Sequence, residues 1–162
     1  MRIIRFAAAA VMLAAAGFAT VNGVQAQPPT PPSFVHAAAT APTAAPGAPV
    51  TVSLALTIEK GYHLQGNNAK DPYVPTTVTV GSVPGVTAGK IVYPPSIKKE
   101  FTGEVLPVYE GKVVIKVALT LAKSVKPGSL KVPLTVNYQG CNTQSCYPPT
   151  KLATTAVVTV AK

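Results

Sequence analysis

Tryptophan is absent from the 162 residues, and arginine occurs twice, at Arg2 and Arg5. Beyond Arg5 there is therefore no guanidinium fork of the kind that reads guanine and grips phosphate, which removes the usual footing of a nucleic-acid binder. Acids are scarce, five in all, and no acid pair or G-x-S-x-G stretch marks a hydrolase. The two methionines, Met1 and Met12, both lie near the start, and only His36 and His63 could join Cys141 and Cys146 as soft ligands. That set is incomplete for a structural metal, so no metal and no cofactor is expected. After the first apolar run, no second one is long enough to cross a membrane. No sustained helical period with caps appears anywhere.

What is present begins with a leader. Arg2 and Arg5 precede an apolar, alanine-rich run over residues 6–21, and Val24-Gln25-Ala26 supplies a small-x-small cleavage pattern. These three parts in this order predict a cleaved secretory signal peptide over 1–26. The apolar run is shorter than the roughly 20 residues a spanning helix needs, so no membrane segment is expected after cleavage. Residues 27–32 read as a proline-rich leader and 33–162 as one domain. The exported part carries twelve lysines against five acids. Apart from Lys98-Lys99 the lysines stand singly, as on a solvated surface.

The domain reads as strands. Residues 50–58 alternate, with Val50, Val52, Leu54, Leu56 and Ile58 on one face. Further strands are predicted over 34–36, 76–80, 90–93, 113–121, 130–140 and 152–160, with turn signals between them. Seven or eight short strands of this spacing predict an all-β chain folded as an immunoglobulin-like antiparallel β-sandwich. The cysteines of that fold ordinarily bridge the two sheets from distant positions, whereas these are five positions apart.

Cys141-Asn142-Thr143-Gln144-Ser145-Cys146 is a strand end, a polar turn and a return. Such a turn lets the two Cα atoms reach the ~5.5 Å typical of a disulfide, and export places them where disulfides form. Closing so short a loop stabilises a fold by only ~2 kcal/mol. Spacing alone leaves a structural staple and a redox pair both open.

The flanking residues are more specific. Tyr138-Gln139-Gly140-Cys141, followed by Cys146-Tyr147-Pro148-Pro149, resembles the active-site segment of the N-terminal periplasmic domain of the thiol:disulfide interchange protein DsbD. Gly61-Tyr62-His63-Leu64 is similar to that family's glycine-aromatic-x-leucine segment, and Lys99-Glu100-Phe101-Thr102-Gly103 to its cap loop. The resemblance covers roughly residues 33–162. It implies an immunoglobulin-like fold and a redox-active pair that passes electrons. The donor it implies is a thioredoxin-like domain or membrane thiol transporter. The acceptors are a periplasmic disulfide isomerase or a thioredoxin-like protein of cytochrome c maturation.

On the same resemblance Cys146 forms the intermolecular bond, Cys141 resolves it and Phe101 caps the pair. Glu100 is the one carboxylate left to tune the thiols, since Lys99 stands where an acid is typical. The loop is one residue shorter than in the best-known members. DsbD continues into a membrane domain and a thioredoxin-like domain, so here the electrons are expected from a separate protein. Tyr62, Tyr138 and Tyr147 are expected to pack around the site, and His63 to sit there as a capped histidine or a proton shuttle. Pro148-Pro149 interrupts the ladder and leaves an edge open for docking. The expectation is a monomeric periplasmic thiol–disulfide exchange module, in enzyme terms a protein-disulfide reductase component. The alternative is an exported immunoglobulin-like binding domain with a purely structural disulfide.

Overall fold

The structure, a computed structural model, describes residues 33–101 and 103–162. The signal peptide and proline-rich leader predicted over 1–32 lie outside the described residues. Among the described residues every regular element is a strand. They are β1 (Val35–Thr40), β2 (Pro49–Ile58), β3 (His63–Gln65), β4 (Thr77–Val80), β5 (Val86–Val92), β6 (Ile97–Phe101), β7 (Glu104–Tyr109), β8 (Lys112–Leu121), β9 (Gly128–Tyr138), β10 (Gly140–Cys141) and β11 (Thr150–Val160). They form a seven-stranded sheet in the order β4-β9-β11-β1-β2-β8-β5 and a four-stranded sheet in the order β10-β3-β7-β6. The predicted all-β, immunoglobulin-like sandwich is thus the observed fold.

Alternation builds the large sheet. Val52, Leu54 and Leu56 of β2 and Ile115 and Val117 of β8 turn to one face and are fully buried. Val136 of β9 and Val158 of β11 complete that face, with Leu64 of β3 and Tyr109 of β7 in the same core. Each buried Leu, Ile or Val of this kind contributes about 1.5–3 kcal/mol. The exposed faces of β2 and β8 carry Thr51, Thr57, Lys112 and Lys116.

The sandwich is not wholly antiparallel. β1 runs antiparallel to β2 but parallel to β11, with Thr40 opposite Val157. A further parallel bridge joins Ala44 to Val160.

Two further differences from the sequence reading position the site. Residues 97–101 and 104–109 pair as β6 against β7, with Gly103 at a φ of 85° before the second strand. The first strand, Ile-Lys-Lys-Glu-Phe, does not alternate in polarity, because β6 is an edge strand with four of five residues exposed. The strand predicted over 130–140 instead ends at Tyr138. The chain crosses at Gln139 from the large sheet into the small one, where β10 pairs with β3.

Candidate functional site

The crossing at Gln139 carries the cysteines. β10 is two residues long, with Gly140 opposite Leu64 and Cys141 opposite His63. Leu64 points into the core. By strand alternation Cys141, His63 and Gln65 therefore share the outer face of the small sheet. Gly140 leaves no room for a side chain: a Cβ there would lie 2.2 Å from Cζ of Phe34. Gln139 anchors the crossing. Its carbonyl accepts from Gln65 N at 3.0 Å, and its Oε1 accepts from Val74 N at 2.9 Å.

Cys141 and Cys146 form a disulfide with their Cα atoms 3.9 Å apart. This is closer than the separation assumed from the sequence, because the two residues face each other as an antiparallel bridge. Asn142 shapes the turn between them. Its Oδ1 accepts from the backbone N–H groups of Gln144 and Ser145, both at 2.8 Å, and its own N–H donates to the Ser145 carbonyl at 2.9 Å. An Asx-type turn of this sort fixes a short polar loop without help from a core. The outcome is asymmetric: Cys141 is 1% exposed, whereas Cys146 is exposed.

Aromatic rings support the pair from below. Phe34 stacks on Tyr62 at 4.3 Å, meets Tyr138 edge-on at 6.4 Å and lies 5.5 Å from Tyr147. The expected packing role of the three tyrosines thus converges on one phenylalanine. Tyr147 Oη also accepts from Asn142 Nδ2 at 3.3 Å, which ties the turn to the cluster. The Tyr62 phenol is pushed above its ordinary pKa, chiefly by Tyr147, and that of Tyr138 by burial.

On the outer side, Phe101 stacks on His63 with ring centroids 4.3 Å apart. Lys99 Nζ stands 5.7 Å from the Phe101 ring and is hydrogen-bonded to Glu110. His63 is 3% exposed. Burial lowers its pKa, Lys99 lowers it further, and Glu110 opposes the shift. At pH 7 the neutral ring is therefore favoured. A cleft of about 190 Å³ opens over the pair, lined by His63, Tyr73, Phe101, Leu106, Cys141 and Cys146 among others. Among the described residues no group of three or more His, Cys, Asp or Glu side chains could hold a metal ion.

The structure thus gathers Cys141, Cys146, Phe101, His63, Tyr62, Tyr138 and Tyr147 in one place. Glu100 stands apart. It is exposed between Lys99 and Phe101, and alternation turns its side chain to the face opposite Phe101. The carboxylate that acts on His63 is Glu110. Phe34, Gln65, Asn142 and Glu110 carry no mark in the sequence, because each acts through contacts remote along the chain or through a local turn. Gln65 is fully buried, with Nε2 3.5 Å from Cys141 Sγ.

The family described as "Thiol:disulfide interchange protein DsbD, N-terminal" matches residues 32–157. Among solved structures, the N-terminal periplasmic domain of ScsB from Proteus mirabilis is similar at a TM-score of 0.57 and 13% identity. That likeness covers 75% of this chain and 45% of ScsB's, so the chain spans less than half the length of that structure, and it supports the fold. The DsbD N-terminal domain of Neisseria meningitidis in the reduced form aligns at 0.47 and 19% identity, over 78% of this chain and 87% of that one. The same organism's complex of the DsbD and PilB N-terminal domains aligns at 0.43 and 20%, over 80% and 88%. No curated protein matches the sequence.

Proposed function

We propose, for a chain that belongs to the family of N-terminal domains of the thiol:disulfide interchange protein DsbD, a role as a periplasmic thiol–disulfide exchange module working through Cys141 and Cys146. The observation that carries this reading is the asymmetry of the pair, one cysteine buried and one exposed, both lining a cleft. A partner thiolate attacks Cys146 Sγ, the intramolecular S–S bond breaks and Cys141 departs as a thiolate. A second partner thiol then attacks the partner's own sulfur in the mixed disulfide, which frees Cys146 as a thiolate. The partner leaves oxidised, and this chain holds two electrons and takes up two protons from solvent. The same steps in reverse reduce an acceptor disulfide.

Phe101 over His63 shields the pair between encounters. The donor is a thioredoxin-like domain or a membrane thiol transporter. The acceptor is a periplasmic disulfide isomerase or a cytochrome c maturation protein. The module works as a monomer, exported by its signal peptide. In a purely structural disulfide, exposure of Cys146 would serve no purpose, and the turn already has its own hydrogen bonds at Asn142.

Non-reducing electrophoresis with a thioredoxin-like partner lacking its resolving cysteine tests the roles. Cys141→Ser traps a stable mixed disulfide through Cys146, and Cys146→Ser traps little. Equal trapping by both removes the assignment. Trapping by neither, together with a reduction potential below about −300 mV, returns the disulfide to a structural staple.

A further inference from the structure

We infer that Gln65 is a catalytic hydrogen-bond donor to the buried sulfur, holding Cys141 ready to leave and to return as a thiolate. This rests on the exchange reading above and adds the group that makes the buried thiol usable.

Burial is the problem to be solved. A cysteine 1% exposed lacks the water that would stabilise its anion, so burial disfavours the thiolate. Glu100 and Lys98 are exposed on β6, and Lys99 is engaged by Glu110 and the Phe101 ring. His63, opposite Cys141, favours its neutral form at pH 7. Among the described residues the polar side chain hydrogen-bonded to the sulfur is the Gln65 amide, whose Nε2 lies 3.5 Å from Sγ.

That amide sits in an unusual state. Gln65 is fully buried, and its Oε1 is also buried and has no hydrogen-bond partner among the described residues. An orphaned acceptor at such a site destabilises the fold. Gln65 is therefore poorly explained as a structural choice in the disulfide form, where a methionine of similar shape would fill the space. The backbone does not require glutamine either. Gln65 N donates to the Gln139 carbonyl, and its own carbonyl accepts from Thr76 Oγ1 at 2.6 Å, bonds that any residue could make.

The redox cycle supplies the reason. When a partner thiolate attacks Cys146, the electron pair of the breaking S–S bond moves onto Cys141 Sγ, directly in front of the Nε2 donor. A neutral amide–disulfide contact becomes a charge-assisted bond, roughly twice as strong. In the acceptor half of the cycle, where Cys146 is joined to an acceptor sulfur, the same donor favours the Cys141 thiolate that attacks Cys146 Sγ; the S–S bond to the acceptor breaks, and the acceptor sulfur leaves with its electron pair and takes a proton from solvent. If Cys141 instead becomes protonated, rotation of the amide lets the orphaned Oε1 accept the S–H. The thiolate gains more than the thiol, so the net effect lowers the Cys141 pKa against the pull of burial.

The test uses the full exported chain with Cys146→Ser, so that Cys141 is the sole cysteine. It carries a ¹³Cβ label and is followed by NMR as pH rises. Gln65→Met and Gln65→Leu, which lack the donor, raise the midpoint by about one pH unit, so that the thiolate fraction below the midpoint falls about tenfold. In the two-cysteine protein both substitutions slow opening of the disulfide by reduced glutathione several-fold. Thermal melting of the disulfide form is unchanged or higher, because the orphaned acceptor is gone. A midpoint that does not move in either folded variant overturns the inference, and so does a variant that melts lower with an unmoved midpoint. No partner takes part in the titration. Failure of the unsubstituted protein to exchange with a thioredoxin-like partner would therefore sink the exchange reading and leave the titration result intact.

Discussion

The two sheets are held together on different scales. In the large sheet β9 and β11 are paired over eleven residues and β2 and β8 over nine. In the small sheet β3 pairs with β10 over two residues and with β7 over two. A ladder of two pairs opens locally at far lower cost than one of eleven. The cysteines therefore stand on the part of the molecule that can shift, while β9 and β11 deliver them from the part that does not. The difference teaches that the longest ladders lie in one layer and the cysteine pair, beside the shortest ladders, in the other, joined at Gln139.

The comparison breaks first in the large sheet. Leu54→Ala, at a fully buried position of β2, should cost about 2–5 kcal/mol in denaturant unfolding. Combined with Cys141→Ser, the folded fraction should still trap a partner through Cys146 at the rate of Cys141→Ser alone. A smaller stability loss with impaired trapping would show that the layers are not separate.

Gly140→Ala strikes the joint between them. The added methyl would overlap Phe34, so a loss of about 1–3 kcal/mol is expected from overpacking. Here trapping should fall along with stability, because the aromatic cluster and the register of Cys141 move together. Retained trapping would place the site's rigidity elsewhere.

Acid sharpens the contrast within the small sheet. The His63 pKa is lowered from 6.5 by burial, so the unfolded chain binds a proton that the folded chain resists. The resulting stability is present above pH 6.5 and is lost as pH falls through the folded-state pKa. The urea midpoint should drop between about pH 7.5 and pH 5, and His63→Phe should flatten that slope. An equal slope in both proteins would assign the acid sensitivity to groups other than His63.

Phe101→Ala should have the smallest effect on stability, below about 1 kcal/mol, since β6 is an exposed edge strand. It should speed alkylation of the reduced pair several-fold by uncovering the cleft. An unchanged rate would mean that the ring does not screen the sulfurs.

The same division governs what could be read from the residues alone. β2, β8 and β11 announce themselves, because a long strand with one buried face must alternate. The Cys141–Cys146 segment announces itself through its flanking Tyr-Gln-Gly and Pro-Pro. The β6–β7 hairpin does not: Lys98, Lys99 and Glu100 are all exposed, so no period of two is written there. The parallel neighbourhood of β1 and β11 is also silent, since nothing in a strand's own sequence names its partner. Gln65 reads as the first residue of a polar loop, and Phe34 as the start of a short strand. Their importance comes from residues about 75 to 105 positions further along, Cys141 and Gly140. Glu100 was the carboxylate expected at the pair, and Glu110, one hairpin strand later, is the one that acts on His63.

The unequal burial of the two cysteines also restricts the direction of approach. Displacement at sulfur proceeds along the axis of the bond being broken, with the incoming atom opposite the departing one. To strike Cys146, a partner must arrive from the side away from Cys141, and Cys146 is the exposed residue of the two. To strike Cys141, it would have to arrive from the side away from Cys146, through the body of the protein. The choice of sulfur is thus a matter of trajectory, set by the backbone, and it persists under changes of pH or of neighbouring charge that would reverse a preference based on thiol acidity.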